Sequence, residues 1–288
     1  MLSFGALPIL LVAEPLTALH RRGLFLSGYG HETYDRIINM IVGPLLTLGV
    51  LASVWIAARF LDHRDVADFG IRIDRAWWRS LAGGFFLGAL LMTSIMAIEL
   101  AAGWIRITDT FAVHAAGVSL ALAVSFSIVK VLCVGIYEEL VSRGYLLRNL
   151  AEGLSLPLAV IVSSAIFAVL HATNDNATIF STLGLFVNGL LFAAARLIAG
   201  RLSAAIGLHI AWNFFQGVVF GFPVSGDKEG ASLIAIEQRG ADFITGGAFG
   251  PEAGLVGIAA SLIGIGLLML CRVSPLAFRR RERHPHDT

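Results

Sequence analysis

The chain has 288 residues, of which 57% are hydrophobic and 14% are charged, and its mean hydropathy is +0.79. Ordinary soluble domains carry about 25% charged residues, so this composition argues against a soluble protein. The formal net charge of +1 says little about an acidic partner, and we do not expect nucleic acid as a ligand.

Apolar segments long enough to cross a bilayer recur along the chain. A transmembrane helix needs about 20 mostly apolar residues, and an additional shorter segment, 4–19, is interrupted by Glu14 and Pro15. The seven clear segments are 37–60, 81–105, 115–136, 156–172, 179–199, 202–224 and 255–271. We therefore predict an all-α, polytopic transmembrane bundle of seven or eight spans that forms one domain over residues 1–288.

Basic residues are distributed unevenly between the two sets of connections. Most of the 21 Lys and Arg residues lie in the set that ends with the RRRER tail, whereas Arg106, Lys228 and Arg239 lie in the other. Because short cytoplasmic loops retain Lys and Arg, we predict an integral membrane protein with a cytoplasmic C-terminus. The Gly-rich connection 225–252 then lies on the opposite side, as a lid or an irregular loop.

A few ionisable residues interrupt the apolar segments, where each costs several kcal/mol unless it pairs or lines a polar cavity. In GIYEELVSRGYLL, Glu139 and Arg143 are four residues apart and can pair on one helical face. Glu138 points about 100° away from that face and is left free. Glu99 and Lys130 are expected to snorkel or to form internal ion pairs.

Two further segments each carry a histidine that is paired with another residue at four-residue spacing. Phe167 and His171 stand in SSAIFAVLHATN, where the phenyl ring can pack beside the imidazole. His209 and Asn213 stand in GLHIAWNFFQG. We expect these faces to converge with the Glu138 face on an intramembrane polar cavity.

The polar residues can meet in one cavity only if they lie at the same depth in the membrane. Counted from the cytoplasmic side, His209 lies about 10 Å into its segment and His171 about 22 Å into its own. These depths agree only if the glutamate helix continues through Arg143, or if the connection 144–157 lies below the membrane surface.

The polar set supports hydrolysis of an acyl bond. Glu138 can take a proton from water, with His171 or His209 sharing that water or protonating the leaving amine, while Asn213 donates to a developing oxyanion. Alternatively, Glu138, His171 and His209 match the ligand set of a hydrolytic zinc site, although no HExxH helix is present. Both alternatives, metal-free catalysis and a divalent metal such as zinc, stay open.

The three motifs together resemble the CAAX-processing and bacteriocin-processing (CPBP, or Abi) family of intramembrane proteases, which includes the type II CAAX prenyl endopeptidases. The family pattern is EExxxR, then FxxxH, then HxxxN or HxxxD, each on its own membrane helix. It stands here over about residues 130–220, at Glu138-Glu139-xxx-Arg143, Phe167-xxx-His171 and His209-xxx-Asn213. Ser142 departs from the pattern, because many members carry an aromatic residue there.

The resemblance implies roles for these residues. Glu138 would be the water-activating carboxylate and His171 would assist it. His209 and Asn213 would complete the catalytic site, and Glu139 and Arg143 would support it. The short loops resemble those of bacterial or archaeal members. The resemblance therefore implies a location in a bacterial or archaeal plasma membrane.

We therefore predict an intramembrane endopeptidase that cleaves a membrane-associated peptide or protein. The family implies either a prenylated CAAX-type protein or a bacteriocin-type peptide as the substrate. The alternative is a non-enzymatic bacteriocin-immunity or interaction protein with the same fold. A transporter with Lys130, Glu99 and Glu138 as relay groups is disfavoured, because no inverted repeat is visible. The sequence does not fix the oligomeric state.

Overall fold

The computed structural model describes residues 31–113, 119–229 and 231–270. The apolar segment 4–19 and the RRRER tail lie outside these ranges. In chain order the helices are α1 (His31–Ile56), α2 (Arg75–Ala101), α3 (Leu120–Glu139), α4 (Leu147–Gly153), α5 (Leu156–Leu170), α6 (Ile179–Ala199), α7 (Leu202–Asn213), α8 (Asp242–Thr245) and α9 (Leu255–Leu270). Two strands, β1 (Ile105–Val113) and β2 (Ala231–Gln238), complete the regular structure of the described residues.

Five continuous helical segments of the described chain are long and apolar enough to cross a membrane. They are Gly43–Leu61, Arg75–Ala101, Leu120–Gly153, Ile179–Ala199 and Leu202–Val219. The apolar helices α5 and α9 are shorter, with 15 and 16 residues. Each of the seven predicted apolar segments thus corresponds to a helix, which supports an integral membrane helical protein. The number of spans stays a prediction.

The glutamate helix does not end at the motif. A π-helical turn, Leu140–Leu146, joins α3 to α4, so the chain remains helical for 34 residues from Leu120 to Gly153. The predicted continuation through Arg143 is therefore confirmed. A second π-helical turn, Phe214–Val219, extends α7 beyond Asn213.

Glycines allow α2 and α7 to pack with their backbones almost in contact. A Cβ atom added at Gly84 would lie 2.0 Å from the Ala204 carbonyl oxygen, and one at Gly207 would lie 2.1 Å from the Leu81 carbonyl oxygen. Small residues at such crossings let two helices approach closely. This contact fixes α7, which carries His209, against the apolar core.

The described residues also include a two-stranded sheet, which the sequence analysis did not predict. β1 and β2 pair antiparallel from Ile105↔Gln238 to Val113↔Ala231, with an irregularity between Ile107 and Asp109. Both strands are rich in β-branched residues, which favour a pleated, half-buried surface. The segment 225–252, predicted as a lid or an irregular loop, thus contains a strand and the short helix α8. We call residues 221–229 and 231–254 the cap.

Candidate active site

A cavity of about 140 Å³ lies where α3, α5, α6 and α7 meet the cap. Its lining includes Glu138, His171, His209 and Asn213, so the structure brings together all four residues that the sequence predicts as catalytic. They come from three helical segments that are separated in sequence by more than 30 residues.

Glu138 faces both histidines. Its Oε2 atom lies 3.7 Å from Nε2 of His171 and 4.0 Å from Nε2 of His209. These distances exceed those of direct hydrogen bonds, and this buried oxygen has no hydrogen-bond partner among the described residues. The Oε1 atom accepts a hydrogen bond of 3.3 Å from the Tyr137 hydroxyl. Glu138 thus keeps one oxygen free to act on a bound molecule.

Glu139 is held in a different way from its neighbour. Its Oε1 atom accepts hydrogen bonds from Arg143 Nη1 at 2.9 Å and from His209 Nδ1 at 2.8 Å. Arg143 is fully buried, and its Nη2 atom also donates to the Gly189 carbonyl oxygen at 3.1 Å. The predicted pairing of Glu139 with Arg143 is confirmed, and this pair also orients His209.

The contacts of the two imidazoles define which nitrogen carries hydrogen. His171 Nδ1 lies 2.8 Å from the Phe167 carbonyl oxygen, which can only accept, so this nitrogen is the donor. His209 Nδ1 likewise donates to the Glu139 carboxylate. In the neutral histidines both Nε2 atoms are therefore acceptors. Glu138 Oε2 therefore faces two acceptor nitrogens, and a water molecule bound among them can donate its two hydrogens to two of these three atoms.

Aromatic rings hold the two imidazoles in place. Phe167 packs against His171 with ring centroids 4.7 Å apart, which confirms the predicted contact. Phe192 of α6 stacks on His209, with centroids 4.7 Å apart and an interplanar angle of 12°. The Arg143 guanidinium lies 4.2 Å from the Phe167 ring centroid. The rings thus pack against the histidines and the buried arginine. The sequence did not identify Phe192 as part of the site.

Asn213 lines the same cavity one helical turn after His209. Its side chain is buried and makes no hydrogen bond to the described part of the protein. Asn188 differs, because its Oδ1 atom accepts a hydrogen bond of 2.6 Å from Ser261. Of these two cavity amides, Asn213 is the one that remains available to a ligand.

Lys130 connects the glutamate helix to the cap. Its Nζ atom lies 2.6 Å from Asp227 Oδ2 and 2.9 Å from Glu229 Oε1, and Ser127 donates to Glu229 Oε2 at 2.7 Å. The ion pair expected of Lys130 is confirmed. The expectation for Glu99 is wrong, because this residue is fully buried and neither carboxylate oxygen has a partner among the described residues.

Glu252, a buried residue of the cap, also lines the cavity. Its Oε1 atom accepts from the Ser225 backbone N–H at 2.6 Å and from the Ser225 hydroxyl at 3.0 Å, and its Oε2 atom accepts from Gln216 Nε2. Burial raises the pKa of Glu252, and these hydrogen bonds offset part of the effect. Sequence reasoning missed both Glu252 and Gln216. Gln216 was detectable, since it is a polar residue inside an apolar segment.

Glu138, His171 and His209, the ligand set of the zinc alternative, lie somewhat farther apart than the ligands of a bound zinc ion. Zinc ligands at about 2.0–2.1 Å from a tetrahedral ion lie about 3.4 Å apart, whereas Glu138 Oε2 is 3.7 Å and 4.0 Å from the two histidine nitrogens. In the described ranges, no group of three or more His, Cys, Asp or Glu side chains is placed to hold a metal ion. The mechanism proposed below is written without a metal, and a chelator distinguishes the two alternatives.

A comparison with known families bears on this site. The family described as type II CAAX prenyl endopeptidase Rce1-like matches residues 119–215. No significant match is found among curated proteins or among solved structures. The matched range includes all seven motif residues, from Glu138 to Asn213, and overlaps the predicted motif core of about 130–220. Residues 119–215 of this chain are therefore similar to the Rce1-like family of type II CAAX prenyl endopeptidases.

Proposed function

We propose that this protein is an intramembrane endopeptidase in which Glu138 activates water. The observation that carries the proposal is the free Glu138 Oε2 atom, which faces two histidine Nε2 acceptors inside a buried cavity. A carboxylate in such a position can act as a general base. The match of residues 119–215 to a protease family supports the same chemistry.

Hydrolysis then proceeds in two steps. A water molecule donates its hydrogens to Glu138 Oε2 and to His171 Nε2, and Glu138 takes one proton as the water oxygen attacks the scissile carbonyl carbon. The carbonyl oxygen becomes an oxyanion, which Asn213 stabilises by donating from its side-chain amide. The C–N bond breaks as the proton passes from Glu138, directly or through His171, to the leaving nitrogen.

Glu139 and Arg143 act in this proposal as positioning residues. Glu139 fixes the His209 ring through Nδ1, and Arg143 holds Glu139 from the other side. The His209 ring is thereby held with Nε2 facing Glu138, and its orientation does not depend on the substrate. Preorganised polar groups of this kind need no rearrangement during the reaction.

The substrate in this proposal is a membrane-associated peptide or protein that reaches the cavity from the bilayer. Prenylated CAAX-type proteins are the first class to test, because the matched family is described as CAAX prenyl endopeptidases. Bacteriocin-type peptides are the second. We also propose that the chain forms one membrane domain, with its C-terminus in the cytoplasm.

The test is cleavage of a membrane-associated peptide library that includes prenylated peptides. Purified wild type and Glu138→Gln are compared in detergent or liposomes, with and without a chelator. The proposal expects cleavage by the wild type that is lost in the variant and kept in the chelator. Loss of wild-type cleavage in the chelator would contradict the metal-free step. Absence of cleavage by either protein would favour an immunity or interaction protein.

A further inference from the structure

A second and larger cavity lies on the outer surface of the bundle, away from Glu138. It is a groove of about 800 Å³ between α2, α6, α7 and α9. Its lining is almost entirely apolar and includes Gly83, Leu87 and Leu90 of α2, Ile198 of α6 and Leu267 of α9. Leu90 and Leu267 are exposed, so the groove is open along the side that faces the bilayer.

One end of the groove is basic. Arg79 lines this end, is exposed, and makes no ion pair or hydrogen bond to any residue in the described ranges. Arg201, which also lines the groove, is already paired with Asp74 at 3.0 Å and donates to the Arg72 carbonyl oxygen. The guanidinium of Arg79 is therefore the free cation at this end.

The position of Arg79 relative to a bilayer follows from its neighbours. Arg79 lies in the first turns of α2, beside Trp78, whose side chain is exposed. Tryptophan and arginine at a helix end are typical of the headgroup level of a membrane. From Arg79 to Leu90 the helix rises about 16 Å, which is about half of a hydrocarbon core about 30 Å thick. The groove thus extends from the headgroups to the bilayer midplane, the depth of one leaflet.

We propose that this groove binds one acyl chain of an anionic glycerophospholipid, with the lipid phosphate held by Arg79. An apolar channel one leaflet deep fits a single lipid chain, and a free guanidinium at its headgroup end matches a phosphate oxygen pair. Juxtamembrane arginines attract anionic lipids. The site does not depend on peptidase activity, because Glu138 and the histidines line the other cavity.

Native mass spectrometry of the delipidated full-length protein tests this site. Phosphatidylglycerol and phosphatidylcholine with identical acyl chains are added in parallel, and the fraction of protein that retains a lipid is measured. We expect phosphatidylglycerol to be retained about fivefold better, because its phosphate charge is not neutralised by a choline and one arginine attracts an anionic lipid by about this factor. Arg79→Gln should abolish this preference, whereas Arg75→Gln, one turn earlier and outside the groove lining, should keep it.

Gly83→Phe tests the apolar part of the site without changing charge. A Cβ atom added at Gly83 meets nothing within 4 Å, so the phenyl ring can fill the groove without disturbing the packing of α2, and retention of both lipids should be lost. Thermal unfolding verifies that each variant is folded. Equal retention of the two lipids, an equal effect of Arg75→Gln, or displacement of the lipid by inorganic phosphate would overturn the proposal. If Gly83→Phe is unstable, Arg79→Gln alone decides the outcome.

Discussion

The helical core and the cap both line the active-site cavity, but they hold their polar side chains in different ways. In the core, Glu139 pairs with Arg143 four residues away, and His171 bonds to the Phe167 carbonyl oxygen at the same spacing. In the cap, Glu252 binds Ser225 across 27 residues, and Glu229 binds Lys130 across 99. The core therefore places reactive groups through local helical geometry, whereas the cap closes over them through long-range contacts.

The core thus supplies the residues of the proposed chemical step, whereas the cap closes the cavity. Within the described residues, the core presents to the cavity the Glu138 Oε2 atom, which has no partner, while the carboxylates of the cap that face the cavity are bound to Lys130, Ser225 and Gln216. Substitutions in the core should therefore change the rate of the chemical step or the stability of the bundle. Substitutions in the cap should change access to the cavity and its response to pH.

After Glu138→Gln, His171→Ala should have the largest effect on activity. General acid–base groups contribute about 10²–10⁴-fold to a rate, and we expect kcat/KM for peptide cleavage to fall within that range. Stability should change little, because the only hydrogen bond of this side chain in the described structure is to its own helix. Steady-state kinetics and thermal unfolding check both parts. A fall of less than tenfold would show that His171 does not share the attacking water.

Arg143→Met should destabilise the core most strongly. It leaves the fully buried Glu139 with one fewer partner, and breaking a buried ion pair costs about 3–5 kcal/mol. The double variant Arg143→Met/Glu139→Leu removes both charges and should recover much of this loss. Unfolding in detergent measures both free energies. If the single and double variants were equally unstable, the pair would not account for the loss.

Glu252→Gln should change the pH dependence of stability. Burial raises the pKa of Glu252 above its ordinary value of 4.5, so between 4.5 and the raised pKa the folded protein keeps a proton that the unfolded chain has lost. The free energy of unfolding therefore falls as pH rises through this window. The amide of the variant cannot lose a proton, and its stability curve should be flatter. Thermal unfolding from pH 4 upward measures both curves, and parallel curves would contradict this role.

Lys130→Met should have the smallest effect on activity. Its pair with the exposed Asp227 contributes about 0–1 kcal/mol, and its second partner, the buried Glu229, keeps the hydrogen bond from Ser127. The cap should loosen, so that the Ser225 amide exchanges hydrogen faster while the rate of cleavage changes a few-fold at most. Arg239→Met is the matched control, since it removes an exposed pair with Glu237 at the end of β2, away from the cavity lining. The same exchange rate in both variants would exclude Lys130 as the link to the cap.

The core residues could be predicted from the sequence because their contacts are local. The motif residues of the core recur at four-residue spacing within apolar helices, so Glu138, His171, His209 and Asn213 and the Glu139–Arg143 pair could be identified from periodicity and from the cost of charge in lipid. The predicted apolar segments likewise correspond to helices, and 179–199 coincides with α6.

The cap could not be predicted in this way. Its fold depends on the pairing of β1 with β2 across more than 100 residues and on the burial of Glu252, which no local pattern encodes. The π-helical turn after Glu139 was also hidden, because its residues, which include Arg143, are equally compatible with α-helical spacing. Phe192 was missed because an aromatic residue in an apolar helix carries no polar signal.

The most direct test of the central proposal is kcat/KM for a cleaved peptide, measured side by side for Glu138→Gln in the core and Lys130→Met in the cap. Thermal unfolding verifies that both variants are folded. We predict a fall of at least about 100-fold for Glu138→Gln and a few-fold change for Lys130→Met. A Glu138→Gln rate within tenfold of the wild type would contradict water activation by Glu138.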